Sequence, residues 1–261
     1  MRGLVLNEKK VAEEIIEKSI MTESNYSCIN ILIKHYYLEN KAVTKLDLLY
    51  KILGDFDRCL GSAFNRSQLE ETITKRVDYF FKSIRKYGDE NVKLSSVDKI
   101  VITKEECERI KAIKDKKTQR VMFIMLVYCR ATNELNSNQS YWMNQPIKNI
   151  MAEAKITRKN DKTDILRYLY LNGFITDNAR IDKISYRVNY VCEDSEDAIV
   201  ITDFDECIHY WLMYLGEKWK KCSVCGKWIR KTNNSIKYCK DCAKKVNIEK
   251  TKNNKKLKNV S

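Results

Sequence analysis

The chain has few of the residues that interrupt regular structure. One proline and 7 glycines occur in 261 residues. With abundant Lys, Ile, Glu and Leu, that scarcity predicts a mostly helical body with small β elements, an α+β class. Long apolar runs are missing too. The longest, Val121 to Cys129 between charges, falls far short of the roughly 20 residues of a membrane helix and reads as a buried core element. There is no Gly-rich phosphate loop, no nucleophile elbow and no H-E-x-x-H. The consecutive carboxylates Glu193, Asp194, Glu196 and Asp197 lack the spaced ligands and glycine turn of a calcium loop. His35 reads as a helix-surface or core histidine. His209 could pair with neighbouring carboxylates, but no other part of a site accompanies it. The expectation is a protein that is not an enzyme.

Cysteine, by contrast, is plentiful. Cys222 and Cys225 are followed after thirteen residues by Cys239 and Cys242, a C-x2-C…C-x2-C spacing that brings four sulfurs to one ion. Four thiolates close a tetrahedral shell around zinc and leave no position for water. One Zn2+ is therefore expected in a structural role. Disulfides would need an oxidising compartment. The opening MRGLVLNEKK, charged and without an apolar signal segment, instead predicts the cytoplasm. Cys28, Cys59, Cys107, Cys129, Cys192 and Cys207 stand singly and read as packed free thiols.

In CSVCGK, Gly226 frees the backbone after the second ligand, as in a zinc knuckle. Trp228–Arg230 and Ile236–Tyr238 read as two short strands around the polar turn 231–235. The basic run after Cys242 predicts a helix with Cys239 and Cys242 at its positive end. Knuckle, hairpin and helix resemble a treble clef; a flat zinc ribbon is the alternative.

Charge is unevenly spread. The net charge is +14, and Glu217 to Ser261 holds 15 basic and 3 acidic residues against 34 and 32 in the rest of the chain. A compact basic element of this kind binds polyanions by counterion release. Lys227, Arg230, Lys231, Lys237, Lys240, Lys244, Lys245 and Lys250 are its candidate nucleic-acid contacts. The preponderance of lysine argues for backbone attraction without base readout. A solvated tail that only confers solubility is the plainer alternative.

Three regions are expected: a helical domain over 1–90, a second domain over 98–216 and the zinc module over 217–261. In the first, Val11, Ile15, Ile16 and Ile20 recur at helical spacing, followed by Cys28, Ile29, Leu32, Ile33, Tyr36 and Tyr37. Thr44 with Asp47 caps a third helix. Gln68 to Tyr87 forms a fourth with Ile73, Val77, Phe80, Phe81 and Ile84 on one face, and Gly88 stops it. Residues 89–97 read as a polar linker.

The second domain opens with a strand over Asp98–Ile102. A capping box of Thr103 with Glu106 starts a helix through about Lys114, and a buried helix over Gln119–Glu134 follows. Ile147 to Ala154 predicts a short helix and Lys155–Thr157 a turn. Arg158–Asn172 predicts a longer helix with Ile165, Leu166, Tyr168 and Leu169 inward, ended by Gly173. Two helices joined by so short a turn have helix-turn-helix geometry. Phe174–Thr176 and Ile184–Tyr190 are strand-like around a turn, which completes a winged-helix pattern. Asp203 with Glu206 is expected to cap a last helix carrying Cys207, Ile208, Trp211, Leu212 and Leu215.

With its LNGFI segment after the second helix, the region from about 98 to 216 resembles bacterial and phage winged-helix proteins. That resemblance implies that Thr157, Arg158, Lys159, Asn160, Lys162, Thr163 and Arg167 face a major groove, with Arg180, Lys183 or Arg187 near phosphate. Tyr141 to Val191 holds 9 basic and 5 acidic residues, and Asp161 and Asp164 lie close to the reading face. Winged helices also serve as protein-interaction modules. Together with the C-x2-C-G-K and KYC-x2-C segments, the chain is similar to uncharacterised proteins of phages and mobile elements in low-GC bacteria, which implies a bacterial host cell and no transferable function. The expected role is a nucleic-acid-binding, and specifically DNA-binding, regulatory or replication-associated protein whose N-terminal helices form a homodimer or recruit a partner. The alternative is a non-enzymatic adaptor or inhibitor of a host protein, such as a defence-system component, with zinc purely structural. A membrane partner is not expected.

Overall fold

The computed structural model describes residues 1, 4–61, 63, 65–136, 139–177, 185–232 and 236–258, with the side chains of 250 and 252–258 left aside. The fold is α+β, with ten helices and seven short strands among the described residues. It divides into two compact units, residues 3–98 with 134–137, and residues 1–2, 99–133 and 138–261. The four-cysteine segment therefore belongs to the same unit as the region from 99 onward.

The first unit is built from α1 (Glu8–Lys18), α2 (Asn25–Glu39), α3 (Lys45–Leu60) and α4 (Arg66–Tyr87). Each helix starts on a side-chain cap, from Asn7, Ser24, Thr44 or Asn65. Thr44 and Asp47 form the full reciprocal box. Ile15, Ile29, Leu32, Leu48, Ile52, Phe56 and Ile73 fill the centre. Helix α1 ends earlier than its apolar spacing implied. Ser19 turns left-handed at φ 54° and leaves Ile20 exposed. Gly88 ends α4 at φ 77°, a conformation that costs a residue with a Cβ more. Residues 89–97 are irregular, yet they are no free linker. Val97 donates to the Leu6 carbonyl at 2.8 Å, and the Ser95 amide donates to the Glu8 carboxylate at 2.9 Å.

The second unit is organised around α6 (Lys116–Asn136), whose residues Val121 to Cys129 are all buried. A helix apolar on every side must be enclosed, and here the apolar run of the sequence is that enclosed element. Asp115 caps it through the Thr118 amide. Strand β1 (Ile100–Thr103) pairs antiparallel with β5 (Asp197–Ile201). Helix α5 (Lys104–Lys111) begins at the Thr103–Glu106 capping box. Glu106 is fully buried and binds Arg130 at 2.6 Å as well as the Thr103 and Cys192 amides, so one carboxylate joins β1, α6 and the stretch leading to β5. Phe123 stacks on Trp211 of α9 (Ile208–Tyr214) at 5.5 Å.

Between these lie β2 (Trp142–Asn144), α7 (Ile147–Glu153), α8 (Lys159–Leu171), β3 (Ile175–Asp177) and β4 (Ser185–Val188), with the strands in the order β2-β4-β3. Gly173, at φ 70°, lets the chain turn from α8 into β3. Ile165 and Leu169 are buried, whereas Tyr168 faces solvent. One helical step separates it from the buried stripe, so its ring packs along Phe174 at the surface. The module over 217–261 adds β6 (Trp219–Lys221), β7 (Trp228–Arg230) and α10 (Lys240–Lys258). Among the described residues no helix is long and apolar enough to cross a membrane.

Candidate metal centre and nucleic-acid interface

The four sulfurs of Cys222, Cys225, Cys239 and Cys242 lie within 4.8 Å of one another. Cys225 and Cys239 are 3.6 Å apart, close to the roughly 3.8 Å that a tetrahedron of about 2.3 Å metal–sulfur bonds requires. The first pair sits in the turn of a hairpin. Cys222 N–H donates to the Lys227 carbonyl at 2.8 Å and Gly226 N–H to the Cys222 carbonyl at 3.0 Å, with Gly226 at φ 71°. The second pair brackets the first turn of α10, where Cys242 N–H donates to the Cys239 sulfur at 3.5 Å. Cys239 N–H reaches across to the Cys222 sulfur at 3.2 Å, which ties the two halves together.

Amide groups of Cys225, Cys239 and Val224 stabilise the Cys222 thiolate and bring its pKa down to about 6. Cys239 is lowered for the same reason. Hydrogen bonding to the Cys239 and Cys225 sulfurs holds Cys242 up at about 12. Four sulfurs this close cannot all ionise without a cation among them, so the donor set fits a soft divalent ion. Elsewhere burial raises the thiols of Cys107, Cys129 and Cys207 to about 12 and that of Cys28 to about 11, as expected of packed thiols.

The hairpin differs from the one anticipated. Strand β7 is present, but Ile236–Tyr238 is not a strand; β7 pairs instead with β6 on the other side of the knuckle, Lys221 opposite Trp228 and Trp219 opposite Arg230. The reason is packing. Trp219 and Trp228 close on the buried His209 ring at 4.3 and 5.1 Å, and Trp228 Nε1 donates to the Asp205 carbonyl at 3.1 Å. Lys221 pairs with Asp203. In segment 236–238 the Lys237 carbonyl instead accepts from the Ser223 amide and hydroxyl. These aromatic anchors were missed in the sequence, although a symmetric signal is present: W-x2-C-x2-C-x2-W places one tryptophan three residues outside each cysteine.

The Asp203–Glu206 cap expected for α9 does not form. Asp203 accepts the Asp205 amide, and Glu206 takes φ 55°. Glu206 instead pairs with Lys155 and with His209 at 3.3 Å. Lys155, itself at φ 58°, occupies the turn between α7 and α8. One carboxylate thus connects that turn to the histidine under the hairpin.

Of the residues implied to read a groove, Lys159, Lys162, Thr163 and Arg167 share one flank of α8, and all four line the same hollow. Thr157, Arg158 and Asn160 are exposed at the helix start. Asp161 is half-buried and paired with Lys117 at 2.7 Å; Asp164 is exposed one helical step from the buried stripe, on the flank away from the hollow. Arg187, implied to lie near phosphate rather than in the groove, is not in this lining. Side chains alternate along a strand, so it stands beside Trp142 and Thr176 on the opposite sheet face from Tyr186. Arg180 and Lys183 lie outside the described residues, as does the Lys250 side chain. In the C-terminal module Lys227, Arg230, Lys237, Lys240, Lys244 and Lys245 are exposed and Lys231 is half-buried. No family model, curated protein or solved structure matches the chain.

Proposed function

We propose that this chain is a cytoplasmic nucleic-acid-binding protein without enzymatic activity, regulatory or replicative in role, in which one structural Zn2+ fixes a basic helix for contact with the phosphate backbone. The observation that carries the proposal is charge placement. The segment with 15 basic and 3 acidic residues is the one whose four cysteines converge; exposed Lys240 lies within the ligand turn of α10, and exposed Lys244 and Lys245 follow it. Phosphate backbones attract such an element with steep salt dependence. In this reading α7, α8 and the β2-β4-β3 sheet act as a winged helix, and Arg158, Lys159, Asn160, Lys162, Thr163 and Arg167 add sequence preference in duplex DNA. The pairing of Asp161 with Lys117 removes one charge that would oppose phosphate.

Exposed Tyr168, Tyr170 and Leu171 on α8 favour a second reading, an adaptor or inhibitor seated on a host protein through that helix. The test is binding of zinc-loaded protein to labelled random-sequence duplex DNA, beside a Cys239→Ser variant. The proposal predicts salt-dependent binding of micromolar strength or tighter, lost in the variant. Absence of binding at low salt would leave the adaptor reading.

A further inference from the structure

The hollow on the flank of α8 has a composition that phosphate contact alone does not call for. Its volume is about 480 Å³, and it opens to solvent, within the roughly 300–1,000 Å³ range of small-molecule sites. Ile147, Leu166 and Ile175 form an aliphatic floor, and the rings of Tyr170 and Tyr186 form walls. Lys159, Lys162 and Arg167 stand in the same lining, with one carboxylate, Asp177, among its described residues. None of the three cations is ion-paired among the described residues. Asp161, which precedes Lys162, is held by Lys117.

We propose that this hollow binds a flat, apolar organic anion, such as an aromatic carboxylate or sulfonate, whose rings lie on Leu166 between Tyr170 and Tyr186 while its charge meets Lys162 and Arg167. An apolar floor gives nothing to a phosphate backbone, which is hydrated and polar along its length. A neutral apolar ligand would leave the lining's excess of positive charge, three cations against Asp177, unmatched. Only a molecule with both properties uses the whole lining. Lys159, Lys162 and Arg167 also belong to the reading face proposed above, so the bound anion excludes duplex DNA from α8. This second half rests on the proposed nucleic-acid function; the binding site does not.

The test uses the full zinc-loaded chain with ¹³C-labelled methyl groups, titrated with 1-anilinonaphthalene-8-sulfonate. The expected result is saturable shifts at Ile147, Leu166 and Ile175. Affinity should fall about tenfold, a difference of about 1.4 kcal/mol, both for Lys162→Gln/Arg167→Gln and for the uncharged N-phenyl-1-naphthylamine. Leu166→Asn should weaken binding through the floor; the surface double variant keeps the test decisive if that substitution impairs folding. Shifts scattered over methyls elsewhere in the chain without those three would overturn the site, and so would equal affinity for the charged and uncharged probes. Shifts at the same methyls from an acidic amphipathic peptide, with none from the sulfonate, would assign the hollow to a protein partner. If the sulfonate binds as expected and does not displace duplex DNA, the site stands and exclusion is refuted. If no duplex binds at all, the site stands and the nucleic-acid reading fails.

Discussion

A thiol with a pKa near 6 is largely ionised at neutral pH, and Cys222 is held there by amide groups of its own turn and of the facing ligand. The first consequence at residue scale concerns the metal. Cys222→Ser removes a buried ligand and the acceptor of the Cys239 amide. The variant is expected to retain less than about a tenth of the one zinc per chain expected of the parent, measured by chelator release with a colorimetric zinc indicator. Its Trp219 and Trp228 emission should shift to the red as the hairpin loosens. His209 supports the same hairpin from beneath. Burial lowers its pKa below the ordinary 6.5, against the opposing pull of Glu206. A base with a depressed folded pKa costs nothing while neutral in both states. As pH falls through 6.5 the unfolded chain takes up the proton first and stability is lost, down to the folded pKa. Chemical unfolding at pH 7.5 and 5.5 should show this loss in the parent and a smaller one in His209→Phe. Equal losses would remove His209 from the account.

Among the elements, caps decide where most helices begin. Thr44 with Asp47 and Thr103 with Glu106 were legible in the sequence because a capping box is a local pattern three residues long. The metal ligands were legible for a related reason, since spacing alone sets how two sulfurs can meet. What the sequence hid was non-local. Nothing near Ile100 names Ile201 as its partner, and the alternation in Ile236–Tyr238 looks like a strand until the tryptophans of β6 and β7 are seen to close on His209. Asp203 and Glu206 had the spacing of a cap, but Lys155 and His209 claim the glutamate. The Glu106–Arg130 pair belongs to the same non-local class and carries a direct prediction. Arg130→Met strands a fully buried carboxylate and should lower stability by about 3 kcal/mol in urea unfolding, whereas the double variant with Glu106→Leu should recover part of that loss. A double variant less stable than the single one would contradict the assignment.

For the whole molecule, the decisive property is where charge and the four-cysteine cluster coincide. Most of the chain is nearly balanced, with 34 basic and 32 acidic residues, and the excess sits in the segment that the four cysteines organise. That segment shares a unit with α7 and α8, and the proposed phosphate-gripping and base-reading surfaces are therefore parts of one body. Each phosphate neutralised releases counterions and steepens the salt dependence by roughly 0.9 in logarithmic slope. Replacing Lys240, Lys244, Lys245 and Lys250 by glutamine is expected to reduce the slope by up to about 3.6 while leaving zinc content unchanged. Replacing Lys162 and Arg167 should instead narrow the difference between preferred and random sequences.

The most direct measurement of the central claim is the affinity of the zinc-loaded chain for random-sequence duplex DNA at about 50 and 200 mM salt, for the parent and the four-lysine variant. The account predicts binding that weakens by orders of magnitude over that range in the parent and by far less in the variant. Binding that is absent at the lower salt, or that keeps the same salt slope without the four lysines, would contradict it.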